Sequence, residues 1–337
     1  MRWSHLPFSL SHERLEMKLA TLENGLQDGQ LVVVSADGLC FLDASGVAPT
    51  MQVALESWSD CLPVLAVLSE RLAAGQGEPL GGDRLCAPLP RSWQWLDGSA
   101  FESHGELMQI AFGLDPVPTD RPLMYQGLSD KFYGPSDDVL MTDEELGIDF
   151  EGEFGVIVDA VPMGVTPAVA MGHIKLIIQI NDWSLRTLAP VEMKTGFGWV
   201  QAKPACSVAP FAVTPDEIGD DWRDGRVCLD LAVDWNGKRF GNPNGEPMAY
   251  GFHELVAHAA RTRALPAGTI IGSGTISNPN YREIGSSCIA ERRAIELVDE
   301  GVPSTSFMRF GDRIRMEART RGNSTLFGAI NQRVVKA

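Results

Sequence analysis

Apolar and polar residues alternate in short blocks along most of this chain, with one long helical stretch near the N-terminus. Residues 17–45 alternate as short strands do. Leu31-Val32-Val33-Val34 and Gly38-Leu39-Cys40-Phe41, separated by Ser35-Ala36-Asp37, carry a hairpin signal. The period then changes. Leu55, Trp58, Leu62, Leu65 and Leu68 recur at three and four, which predicts a helix over 49–75. Sequence rich in Pro and Gly follows from Gly75 to Pro90, so a small N-terminal domain is expected over 17–90 and a larger domain over 91–337. Residues 1–16 show neither period. They are expected to be a disordered extension ahead of a natural start at Met17.

Strand patterns dominate the second domain. Over 148–158, Ile148, Phe150, Phe154, Val156 and Val158 fall on one face and Asp149, Glu151 and Glu153 on the other. Residues 174–181 are apolar on both faces, the mark of a strand covered on both sides. Residues 228–242 predict a hairpin with Asn236-Gly237 as its two-residue turn. A helix is expected over 249–263, with Phe252, Leu255, Val256 and Ala259 on one stripe, and further strands near Ile270 and over 314–318. No internal repeat occurs.

Composition narrows the function classes. A chain of 337 residues, 44% hydrophobic, can bury a large core. Its net charge is -16 and no Lys/Arg cluster stands out, so nucleic acid and anionic membrane surfaces are poor partners. Six scattered cysteines with no C-x-x-C pair point to free thiols in a reducing compartment. No apolar run reaches the ~20 residues of a membrane span, and Met1–Glu16, charged and without an apolar core, is not expected to be a signal peptide. The expectation is a soluble cytoplasmic protein.

The candidate chemistry lies in four places. Glu151 and Glu153 are two apart on a strand, so both carboxylates face one side; they repel unless a cation lies between them, although such a pair is most often a solvated face. Asp182, in Asn181-Asp182-Trp183-Ser184, follows the doubly apolar strand; it is either a desolvated carboxylate needing a partner or an Asx turn. Asp97 and His104 share a mixed aromatic and polar stretch, and His104 is a candidate base unless it is an ordinary hydrogen-bonded histidine. Lys203 precedes Gly272-Ser273-Gly274-Thr275-Ile276-Ser277-Asn278, which reads as an anion-cradling turn or a tight inter-strand turn.

Glu-x-Glu, then Asn-Asp-Trp-Ser, then Lys-Pro, then Gly-Ser-Gly-Thr-Ile-Ser-Asn, in that order across residues 93–335, resembles the fumarylacetoacetate hydrolase family. The resemblance implies an α+β, β-rich fold: a mixed β-roll C-terminal domain with a small N-terminal β domain, usually dimeric. It implies Mg²⁺ or Ca²⁺ held by Asp97, Glu151, Glu153 and Asp182. It assigns His104 as catalytic base, Glu291 as the acid orienting it, and Lys203 and Arg186 as cations facing the reacting carbonyl. Tyr125 and Thr275 match substrate-contacting residues. The implied reaction is metal-dependent hydrolysis of the C–C bond of a 1,3-diketo acid, with fumarylacetoacetate giving fumarate and acetoacetate in tyrosine breakdown. Alternatives on the same fold are 2-oxo acid hydratase, decarboxylase and acylpyruvate hydrolase; a non-catalytic small-molecule binding protein is a further one. Two departures stand out: Ala189 where a glutamine helps bind the oxyanion, and Gly113 near where an arginine holds the substrate carboxylate.

Overall fold

The strand Ile174–Asn181 lies in the middle of the largest sheet, and its two apolar faces explain why. Ile174 and Ile177 enter one core while Leu176, Ile178 and Ile180 enter another on the opposite face. The computed structural model describes residues 15–337 apart from 82–83, 114, 116–119, 321 and 323–324. Among the described residues the main sheet runs in the order Glu78–Pro79, Cys40–Asp43, Gln30–Val34, Lys18–Leu22, Ala212–Val213, Ile174–Asn181, Gly152–Val158, Ile270–Gly272, Trp95–Ser99 and Leu123–Gly127. Neighbours are antiparallel except Ile270–Gly272 with Trp95–Ser99, which is parallel. The N-terminal strands are therefore edge-to-edge with the catalytic-side strands in one sheet, joined where Lys18 pairs with Val213 and Leu19 with Ala212.

One face of this sheet is covered by helices Met51–Glu56 and Trp58–Ala73. The expected helix of 49–75 is thus two, broken at Ser57, whose N–H bonds back to Ala54 O. The other face packs on a second sheet, ordered Lys238–Gly241, Asp230–Trp235, Arg313–Arg319, Ile330–Lys336 and Val139–Met141. Its Asn236-Gly237 turn has φ of 50° and 74°, the left-handed pair that a tight hairpin requires. Helix Phe252–Ala259 is shorter than the periodicity suggested. The expected strand of 148–158 is split into Ile148–Asp149 and Gly152–Val158, and its acidic face is not solvated: Asp149 and Glu153 are both 0% exposed. The architecture is α+β and β-rich. Residues 1–14 of the expected extension lie outside the described residues. Its last two are tied down: Leu15 N–H donates to Asp216, and Glu16 O accepts from Ser69 Oγ.

Candidate functional site

Register brings the acidic residues to one place. Asp97 pairs across the sheet with Gly272 on one side and Tyr125 on the other; Glu153 pairs with Ile180, two residues before Asp182. Asp97, Glu153 and Asp182 are 3%, 0% and 0% exposed, and each places a carboxylate oxygen within 4.8 Å of the others. Glycine makes the approach possible. A Cβ on Gly272 would lie 2.3 Å from Asp97 Oδ1, and one on Gly274, at φ +75°, would lie 2.4 Å from Gly98 O. With both glycines in place, Gly274 N–H donates to Asp97 Oδ1 at 3.1 Å. The Gly-rich turn therefore holds a carboxylate, but it is the protein's own.

Glu153 decides what this cluster is suited to hold. No hydrogen-bond donor among the described residues reaches either of its buried oxygens. Burial, then the charges of Asp97, Asp182 and Glu151, push its carboxyl well above the usual range, and burial with Asp182 does the same to Asp97. A buried carboxylate without a partner is strongly unfavourable unless a proton or a cation neutralises it. Three carboxylates converging with only oxygen donors fit a hard divalent ion such as Mg²⁺, Ca²⁺ or Mn²⁺.

Glu151, the fourth ligand that the resemblance implies, stands beside this group, and like Asp182 it accepts hydrogen bonds on both oxygens. Oε1 accepts from Ser184 Oγ (2.7 Å), Arg186 Nη2 (2.5 Å) and Lys203 Nζ (3.1 Å), and Oε2 accepts from Thr275 Oγ1 (2.7 Å). Burial alone would raise its carboxyl; Arg186 and Lys203 outweigh that and hold it far below the ordinary range. Lys203 Nζ also donates to Asp182 Oδ2 at 2.6 Å, and burial, which would lower its ammonium, is overcome by Asp182 and Glu151. Asp182 further accepts from Tyr125 Oη (2.6 Å) and Cys206 Sγ (3.0 Å). Arg186 and Lys203, expected to face a reacting carbonyl, thus spend part of their donor set on carboxylates, and Thr275 contacts Glu151.

The histidine and its partner come from two helices. His104 lies on Glu102–Phe112 and Glu291 in the first turn of Ile289–Glu300, 187 residues later; His104 Nδ1 and Glu291 Oε2 are 3.1 Å apart. Ser277 Oγ donates to the other Glu291 oxygen at 3.0 Å, which fixes the carboxylate's orientation. The His104 side chain is 14% exposed while Glu291 is sealed. Gly113 ends the His104 helix in the left-handed conformation (φ 59°), a position that disfavours the arginine expected near there. Ala189 opens helix Ala189–Thr195 and is 8% exposed.

Two residues of the site escaped sequence reasoning: Asp149, and Cys206 beside Asp182. Asp149 is fully buried; it accepts from Arg186 Nε at 2.8 Å and from the N–H groups of Ile289 and Ala290 at 2.7 and 2.9 Å. It therefore joins Arg186 to the start of the helix carrying Glu291. Its place in the acidic alternation 149, 151, 153 was the signal that could have found it.

Buried strand-end carboxylates, a donor set for a hard divalent ion and an imidazole held by a glutamate define a class of β-rich enzyme sites. The chain belongs to the fumarylacetoacetate hydrolase family: residues 94–335 match the family described as Fumarylacetoacetate (FAA) hydrolase C-terminal, and residues 17–91 match Fumarylacetoacetase N-terminal domain 2. It is 26% identical over 254 residues to the 2,4-didehydro-3-deoxy-L-rhamnonate hydrolase of Sphingomonas sp. (strain SKA58), covering 72% of this chain and 78% of that one. Burkholderia relatives are matched over only 55% of their length at 28% identity. Among solved structures, maleylpyruvate hydrolase from Sphingobium sp. SYK-6 superposes with a TM-score of 0.66 at 16% identity, covering 95% of this chain and 100% of that one. That enzyme has also been solved with manganese(II) and pyruvate. The 2-hydroxyhepta-2,4-diene-1,7-dioate isomerase of Mycobacterium marinum superposes with a TM-score of 0.60 at 17% identity, covering 95% and 98%. Hydrolases and isomerases thus share this fold.

Proposed function

We propose that this chain is a divalent-metal-dependent hydrolase that cleaves the C–C bond of a 1,3-diketo acid, the class that includes fumarylacetoacetate and the acylpyruvates. The observation that carries the reading is the buried Glu153, unpartnered among the described residues and clustered with Asp97 and Asp182; Glu151 beside them feels the charge of His104, which Glu291 holds. The manganese(II) and pyruvate of the Sphingobium enzyme support both the ion class and a 2-oxo acid as one half of the substrate.

A divalent ion held by Asp97, Glu153 and Asp182 would supply Lewis acidity and a template for the two diketone oxygens. The protein's own groups do the rest. Glu291 faces Nδ1 of His104, which favours the Nδ1–H tautomer and leaves Nε2 to take a proton from water. The resulting hydroxide adds to the carbonyl carbon. Lys203 uses two of its three N–H groups on Asp182 and Glu151, which leaves one for the developing oxyanion. The bond to the central methylene carbon then breaks, its electron pair passing into the leaving enolate. The His104 imidazolium, stabilised by Glu291, returns its proton to that carbon.

Turnover of fumarylacetoacetate, simple acylpyruvates and 2-oxo-enoic acids, each with and without chelator, tests the reading. Two carboxylic products from a diketone, formed only with metal present, is the expected result. Hydration or decarboxylation of 2-oxo acids with no diketone cleavage would refute it.

A further inference from the structure

A groove of about 700 Å³ opens along the edge strand Leu123–Gly127, between the glycine-flanked loop at Phe197–Trp199 and the C-terminal end of helix Phe252–Ala259. Its charge is unlike that of the chain. Arg121, which pairs with Asp120, and His258, Arg261 and Arg263 line it, and among the described residues no Asp or Glu does, in a protein of net charge -16. Arg261 and Arg263 are exposed and make no ion pair among the described residues; Arg263 Nη1 reaches only Gln126 Oε1, at 3.4 Å. Burial, then the charges of Arg261 and Arg121, depress the His258 imidazole, so the cations act on one space. A helix C-terminus favours one basic residue through its dipole. That accounts for neither the second arginine nor a concave wall free of carboxylates.

The groove also adjoins the reaction site. Tyr125 lines it, and the same Tyr125 donates its hydroxyl to Asp182. Trp199 stands edge-on to that ring, with centroids 6.1 Å apart, and lines the groove beside it. A ligand chelated near Asp182 and longer than a simple acylpyruvate would pass along this aromatic wall toward the arginines. The helix bearing His104 ends at Gly113 and supplies no such cation there.

We propose that this groove is the subsite for an anionic group at the far end of the substrate, with Arg261 and Arg263 as specificity-determining residues. The proposal rests on the diketo acid reading and narrows it to substrates carrying a second carboxylate remote from the cleaved bond.

The test is steady-state kinetics of the metal-loaded enzyme on two 1,3-diketo acids with the same reacting core, one ending in a methyl group and one in a carboxylate. Arg261→Ala/Arg263→Ala should raise KM for the carboxylate-ended substrate about 10- to 100-fold, the usual worth of charged hydrogen bonds. It should leave the methyl-ended substrate unchanged, which also shows that the variant is folded. Arg261→Lys/Arg263→Lys should recover much of the loss. Equal effects on both substrates, or none on either, would overturn the proposal. If the wild type cleaves neither diketone, the hydrolase reading fails on its own. Calorimetric titration with succinate then still tests the groove: binding weakened in the double alanine variant supports it, and binding absent or unaltered overturns it.

Discussion

Glu153→Gln should make the metal-free protein more stable, although it alters a buried residue of the site. At the 4.8 Å that bounds the oxygens of Asp97, Glu153 and Asp182, two unit charges repel by about 3.5 kcal/mol at an effective dielectric near 20. Protonation is the alternative: holding a proton at pH 7.5 on a carboxyl whose ordinary pKa is 4.5 costs about 4 kcal/mol. Glu153 faces two such charges, about 7 kcal/mol together, so holding the proton is the smaller penalty, and the glutamine, whose amide can donate to Asp97 or Asp182, removes it. For 337 residues, an unfolding entropy near 2.1 cal/mol/K per residue turns a gain of about 1–4 kcal/mol into roughly 1–6 °C of Tm. Metal offsets the advantage. Wild type should gain about 2.7 kcal/mol, or roughly 4 °C, at a metal concentration of 100 Kd, while the variant gains little. The pH dependence has a definite sign. Because the folded pKa values of Asp97 and Glu153 are raised, the native state binds more protons than the unfolded chain above their unfolded values. Metal-free stability should therefore fall as pH rises above the ordinary carboxylate range, with a shallower slope in the variant. Calorimetric scans in chelator and in millimolar Mg²⁺ or Mn²⁺ measure both effects. A variant destabilised equally with and without metal would show that Glu153 is not an unpartnered charge in the site.

His104→Ala should lower kcat by roughly 10²–10⁴ with metal affinity unchanged, and Glu291→Gln should act in the same direction, the double variant being little worse than either; normal diketone cleavage by His104→Ala would refute the assigned base. Arg186→Met should cost about 3–5 kcal/mol in denaturant unfolding, because Asp149 and Glu151 lose their shared cation while buried; a loss near zero would contradict that. Gly152→Ala should cost about 1–3 kcal/mol, since its Cβ would lie 2.6 Å from Leu231 Cδ2 and 3.2 Å from Ser287 Cβ; wild-type stability and activity would show that the neighbours yield easily.

Much of this was legible because some segments admit one solution each. A strand apolar on both faces, such as Ile174–Asn181, is satisfied only between two cores, and Asn236-Gly237 favours a tight hairpin. The site residues were legible as an ordered set of motifs, and the structure brings Asp97, Glu153 and Asp182 together and sets His104 against Glu291. The partners were not. Whether Glu151 faces an ion or two cations depends on where Arg186 and Lys203 fold back, 35 and 52 residues later. Asp149 reads as a solvated strand residue until a helix 140 residues on presents its N–H groups. The union of the N-terminal strands with the main sheet rests on Ala212–Val213, a strand of two residues, too short to show any period.

That two-residue strand sets a timetable for synthesis. Met17 and the Thr214 it bonds are 197 residues apart, so at 5–20 residues per second the ribosome delivers the second about 10–40 s after the first. Throughout that interval the outer edge of Lys18–Leu22 has no partner strand, while its hairpin partner Gln30–Val34 is already available on the inner edge. An open apolar edge is a template for pairing with another nascent chain. Lys18, whose ammonium meets Thr325 O and Glu217 only in the finished fold, places a charge on that edge in the meantime.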